Sequence, residues 1–127
     1  MSKTAALRTV SRVVQEFRVI EPDMPANYVA IVLFVAKFIE DNHEDPSIGD
    51  ISNGLGITRP SVSRAALALS SRRLGGSRAT EERPAGGRKA LGLLEREADF
   101  RDLRLTRCRL SAKGSALISR IIDLTKG

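Results

Sequence analysis

The chain holds no tryptophan, one tyrosine and four phenylalanines, so it has little from which to build a platform that stacks unpaired bases. That weighs against single-stranded nucleic acid as a ligand. A single cysteine, Cys108, rules out an internal disulfide. The longest apolar run, Val29 to Ala36, falls far short of the roughly 18 residues a membrane span needs. The N-terminus is polar and lacks the apolar segment of a secretory signal, so a cytoplasmic protein without membrane contact is expected. The lone histidine, His43, stands among Asp41, Glu44 and Asp45, yet no second His or Cys lies at ligand spacing. A solvated loop accounts for that cluster. No nucleophile or carboxylate dyad stands at useful spacing from the histidine, and no glycine run follows a strand and opens a helix. Neither enzymatic activity, a metal nor a cofactor is expected.

What is abundant is positive charge, and it is unevenly placed. The net charge of +6 and pI near 10.2 favour an anionic partner. From Met1 to Thr58 five basic residues face eight acidic ones, a balance of −3. From Arg59 to Gly127 sixteen face seven, a balance of +9. A chain this one-sided has a docking face rather than a uniformly basic surface.

The change of sign falls inside the most sharply patterned stretch, Pro46 to Leu69. Ser47 can cap a helix, with Asp50 completing a short-armed capping box, and Ile48, Ile51 and Leu55 then share one side. Gly54 and Gly56 are expected to break that helix, since glycine takes a left-handed backbone without steric cost. Thr58 caps a second helix, Pro60 sits in its first turn, and Val62, Ala65, Ala66 and Leu69 form its buried stripe. Arg59, Ser61, Ser63 and Arg64 are left facing outward. Two short helices, a glycine turn and a small, polar, basic outer face describe a helix-turn-helix that reads DNA. Helical hairpins of this kind also occur in proteins that never touch DNA.

The remaining chain supplies a scaffold. A single domain over residues 1–127 is expected, in five parts. An N-terminal helix (2–19) carries a narrow stripe of Leu7, Val10, Val14 and Phe17, with a partner subunit as a reasonable destination. After it, Asp23 or Met24 caps a core helix that has Pro25 in its first turn and runs to about Asn42. The helix-turn-helix (47–70) leads to a basic, glycine-rich insertion (71–91) with Arg72, Arg73, Arg88 and Lys89. Composition so polar cannot order itself alone; it is either a phosphate-binding loop or an ordinary insertion. A hairpin (92–110) follows, with Ala98 to Leu103 as its turn and Thr106, Cys108 and Leu110 sharing one face of the return strand. Ser111 caps the last helix (111–125). The fold class is thus mainly α with a small β-hairpin, a winged helix-turn-helix with flanking terminal helices.

The order of these parts resembles the MarR family of winged-helix transcription regulators. Asp99-Phe100-Arg101-Asp102-Leu103-Arg104 is similar to that family's D-x-R-D-x-R wing, and Leu110-Ser111-Ala112-Lys113-Gly114 to its closing L-T-x-K-G. Val62-Ser63-Arg64 resembles the V-S-R of its recognition helix. The resemblance implies a homodimer joined through the terminal helices, recognition helices in adjacent major grooves, and wing-tip arginines in the flanking minor grooves. Carried onto this chain, it makes Arg101 the wing-tip group, Asp99 the residue that orients it, and Arg104 a phosphate-binding or wing-bracing group. The DNA-contacting set is then Thr58, Arg59, Ser61, Ser63, Arg64, Arg72, Arg73, Arg88, Lys89, Asp99, Arg101 and Arg104. The chain departs from the family in its long insertion, in Leu103 where a second basic residue is common, and in its short flanking helices. Cys108 lies on the wing, away from the N-terminal position of redox-sensing members, and is expected to fill core. The expected partners are double-stranded DNA and a second copy; a small-molecule effector is possible, but no residue pattern supports one. Two other roles suit the same fold: a plasmid or phage replication or partition protein, and a protein-interaction adaptor.

Overall fold

The computed structural model describes residues 2–70 and 90–126. Its elements run α1 (Lys3–Ile20), α2 (Ala26–Asn42), α3 (Ile48–Leu55), α4 (Arg59–Leu69), β1 (Leu94–Asp99), β2 (Asp102–Leu110) and α5 (Ala112–Lys126). This is a mainly helical winged helix.

Local sequence sets most of the boundaries. Ser2 caps α1 by accepting from the Ala5 N–H at 3.0 Å. α2 begins one residue later than Pro25 suggests. Pro25 itself is the N-cap, in extended conformation with no side-chain bond, so neither Asp23 nor Met24 caps this helix. At the other end His43 turns left-handed (φ 55°) and donates its N–H to the Ile39 carbonyl at 2.8 Å. His43 and the acidic residues around it therefore mark a helix end. Ile31, Val32 and Val35 are fully buried along α2, making it the central core helix, while Leu33 and Lys37 face out.

The two glycines expected to end α3 do different things. Gly56 takes the left-handed backbone (φ 72°) and closes the helix, donating to the Ser52 carbonyl at 2.9 Å. Gly54 stays helical. A Cβ there would collide with the Phe34 ring, so this glycine admits α2 rather than breaking α3.

The hairpin pairs Leu94 with Leu110, Arg96 with Cys108 and Ala98 with Thr106. Its turn is tighter than the sequence suggests: Asp99 pairs with Asp102, leaving Phe100 and Arg101 as the loop. The hairpin is also laced to the body. Leu93 N–H donates to the Leu69 carbonyl at 2.7 Å, and Cys108 N–H to the Pro46 carbonyl at 2.9 Å. Beneath it the core gathers Phe17, Ile51, Val62, Leu69, Leu93, Cys108 and Leu117.

Ser111 caps α5, accepting the Gly114 N–H at 3.0 Å while its hydroxyl donates to the Gly92 carbonyl at 2.6 Å. α5 lies on α1, where Arg120 donates to Glu16 at 2.8 Å. Phe17 is sealed by this packing, but Leu7, Val10 and Val14 of α1 stay 64%, 60% and 48% exposed.

Candidate nucleic-acid interface

α3 and α4 are held at their junction by side chains that satisfy helix ends. Ser47 and Asp50 form the reciprocal capping box, at 3.0 and 2.9 Å. Thr58 caps α4 by accepting the Ser61 N–H at 3.3 Å, and its hydroxyl donates to the Ser61 oxygen at 3.0 Å. That oxygen also receives Arg64 Nη2 at 3.4 Å. Thr58, Ser61 and Arg64 are thus one hydrogen-bonded chain along the start of α4. Arg59 does not stand straight out. Its guanidinium lies over the first turn of α3, where a Cβ on Gly49 would come within 2.9 Å of it. Ser63 and Arg64 are exposed, Ser61 is half-buried, and Val62, Ala65, Ala66 and Leu69 face the core. The outer face of α4 is small, polar and cationic over its first turns, with Leu67 exposed nearer its end.

The wing is built on carboxylates. Asp99, only 7% exposed, accepts the Arg101 backbone N–H at 2.8 Å and its Nε at 3.4 Å. Its stronger partner is Arg107, whose Nε reaches it at 2.7 Å and whose Nη1 donates to the Asp45 carbonyl at 2.7 Å. The Arg107 guanidinium, followed by the Arg101 N–H, holds the Asp99 carboxyl far below the usual carboxylate range. Asp102 repeats the pattern with Arg104, at 3.1 Å to the backbone N–H and 3.0 Å to Nε, and its carboxyl is likewise lowered. On one face of the sheet Arg109 bridges Glu95 at 3.1 Å and Glu97 at 2.7 Å. Arg96 lies on the other, with a buried Nε that has no hydrogen-bond partner among the described residues.

The sequence-expected residues therefore sort into groups. Thr58, Ser61 and Arg64 come together on α4, with Arg59 beside them. Asp99, Arg101 and Arg104 come together at the wing tip. Arg72, Arg73, Arg88 and Lys89 lie outside the described residues. Arg107 and Arg109 are the important omissions. The alternation of β2 against a Glu-Arg-Glu strand could have revealed Arg109, because opposite charges at facing positions pair across strands. Nothing local announces the bond from Arg107 to Asp45. Cys108 is fully buried opposite Arg96, and desolvation pushes its thiol up to about 11.

Helix-turn-helix, laced hairpin and basic outer face together define a winged-helix fold of the kind found in DNA-binding transcription regulators. The fold is MarR-like. A glycine-to-lysine mutant of S. aureus MepR, a MarR-family regulator, aligns with 99% of this chain and 78% of its own, at TM-score 0.55 and 17% identity. The same regulator bound to ethidium bromide aligns over 99% and 76%, at TM-score 0.53 and 16% identity. No family model matches the sequence, and no curated protein does. At such identity the likeness is one of fold alone.

Proposed function

We propose that this chain is a sequence-specific, double-stranded-DNA-binding transcription regulator that works as a homodimer on a pseudo-palindromic operator. One observation carries this reading. A doubly capped helix pair with Ser63 and Arg64 outward is joined through backbone bonds to a hairpin whose tip holds Arg101 and Arg104 exposed on buried or half-buried carboxylates. Arg64, with Arg59 and Ser63, meets base edges and phosphates from the major groove; Thr58 and Ser61 hold Arg64 in place. Arg101 enters the adjacent minor groove with Asp99 behind it, and Arg104 takes a phosphate. The cations at Arg72, Arg73, Arg88 and Lys89 add affinity that depends on salt and not on sequence.

Homodimerisation is supported by the apolar stripe that α5 leaves uncovered on α1, joined by Ile122 of α5 at 48% exposure. A dimer places half-site centres about one helical turn apart. A small-molecule effector would find an open cleft of about 570 Å³ between α2, β2 and α5, lined by Leu33, Ile39, Leu110, Ile118 and Ile122.

Selection of bound duplexes from a random pool tests the proposal. The expected product is an inverted repeat with that spacing, and Arg64→Ala should cost about 1–3 kcal/mol of discrimination at one position per half-site. Repeated sites clustered at a replication origin would favour the replication role. Retention of no duplex at low salt would favour the adaptor.

A further inference from the structure

Asp99-Phe100-Arg101 and Asp102-Leu103-Arg104 are one three-residue unit written twice, and both copies take the same geometry. In each, the aspartate accepts the backbone N–H of the arginine two residues on, at 2.8 and 3.1 Å, and also its Nε, at 3.4 and 3.0 Å. This is an Asx turn with a clamped guanidinium. With both ends of the unit held, the middle side chain points away from the clamp. Phe100 is 87% exposed and Leu103 75%. The strand register adds to this: Asp99 faces Asp102, but the next pair is Ala98 with Thr106, so residues 103–105 stand out of the ladder. The Arg101 guanidinium lies 5.7 Å from the centre of the Phe100 ring, so ring and cation are presented together.

Single exposed apolar residues are ordinary on protein surfaces. Two placed by a repeated clamp, each beside a braced cation, form a built feature. We propose that Phe100 and Leu103 are an apolar fork that enters the minor groove of duplex DNA beside Arg101, packing on its deoxyribose walls while Arg104 takes a phosphate at the groove's edge. The inference rests on the DNA-binding reading above. An occupant of this tip must offer negative charge and apolar surface within one side chain's width, as sugar walls between two rows of phosphates do. A lipid surface is the competing occupant, and the vesicle arm of the test below separates it from duplex.

The absence of tryptophan supplies the test, since Phe100→Trp places a single reporter at the tip. Its emission is followed during titration with an A/T-rich duplex of about three helical turns, and separately with phosphatidylglycerol–phosphatidylcholine vesicles. Duplex should shift the emission to the blue and shield it from acrylamide. The double variant Phe100→Ala/Leu103→Ala should lose about tenfold in duplex affinity with the salt slope unchanged, whereas Arg101→Ala should lower that slope by about one. Emission that stays solvent-like while anisotropy reports duplex binding overturns the fork and leaves the DNA-binding reading standing. A shift with vesicles and none with duplex overturns it in favour of lipid. Failure of the unsubstituted protein to bind any duplex at low salt overturns both.

Discussion

Asp99 and Arg107 meet across the wing at 2.7 Å, and because Arg107 also donates to the Asp45 carbonyl, this one cation ties the wing tip to the loop between α2 and α3. The pair is far less exposed than Lys37–Asp41, whose side chains are 78% and 55% accessible. Solvent screens the latter almost completely, whereas loss of the Asp99 charge strands a cation that is mostly enclosed.

Asp99→Asn should therefore lower stability by more than Asp41→Asn does. The pH dependence has a definite sign. A carboxyl depressed in the folded state stabilises it above the unfolded value of about 4, and that contribution fades as pH falls through the folded value. The gap between wild type and Asp99→Asn should be full at neutral pH and narrow below about pH 4. Urea unfolding of both proteins along a pH series measures it; a gap independent of pH would show that the charge is not its source.

Two glycines should respond differently to alanine. A Cβ on Gly114 would run into the Leu93 carbonyl, which is backbone and already accepts the Ser111 N–H at 3.0 Å. It cannot yield, so Gly114→Ala should cost about 3 kcal/mol. A Cβ on Gly54 meets the Phe34 ring, which is half-buried and can swing. The better helix propensity of alanine offsets part of that strain, leaving a net cost within about 1 kcal/mol. Denaturant titration of the two variants decides, and equal costs would contradict this account.

Cys108 should be inert. A fully buried thiol pushed up to about 11 is almost wholly protonated at pH 8. Its reaction with an aromatic disulfide reagent should proceed at the rate of unfolding, and peroxide should leave duplex binding unchanged. Rapid labelling of the native protein would identify it as a reactive site.

Val10→Glu should convert a dimer into a folded monomer. Val10 is 60% exposed, so the charge harms no packing within the chain, but it would be buried without a partner in a helix-to-helix interface. Sedimentation equilibrium beside circular dichroism separates the outcomes. A dimer that survives the substitution would place the interface elsewhere.

Duplex selectivity offers a further contrast. Arg64→Ala should relax sequence preference with little change in melting temperature, because its side chain is exposed on α4. Arg107→Ala should weaken binding to every duplex alike through a loosened wing. Competition binding with matched and mismatched sites, read beside thermal melts, distinguishes the two.

The linear sequence determined what depends on near neighbours. The capping box of Ser47 and Asp50, the Thr58 cap, the left-handed Gly56 and the stripe of Val62, Ala65, Ala66 and Leu69 all follow from residues within one or two helical turns. Such short-range chemistry leaves few alternatives, and so the helix-turn-helix was visible from the start. Tertiary structure decided what depends on elements far apart in the chain. Gly54 became a seat for Phe34, Gly114 a clearance for the Leu93 carbonyl, and Arg107 a tie to Asp45, sixty-two residues away. The tight turn at Phe100 and Arg101 belongs with these, because it comes from the buried carboxylate of Asp99 and from strand register. Burial and register are properties of the assembled core, and no window of sequence contains them.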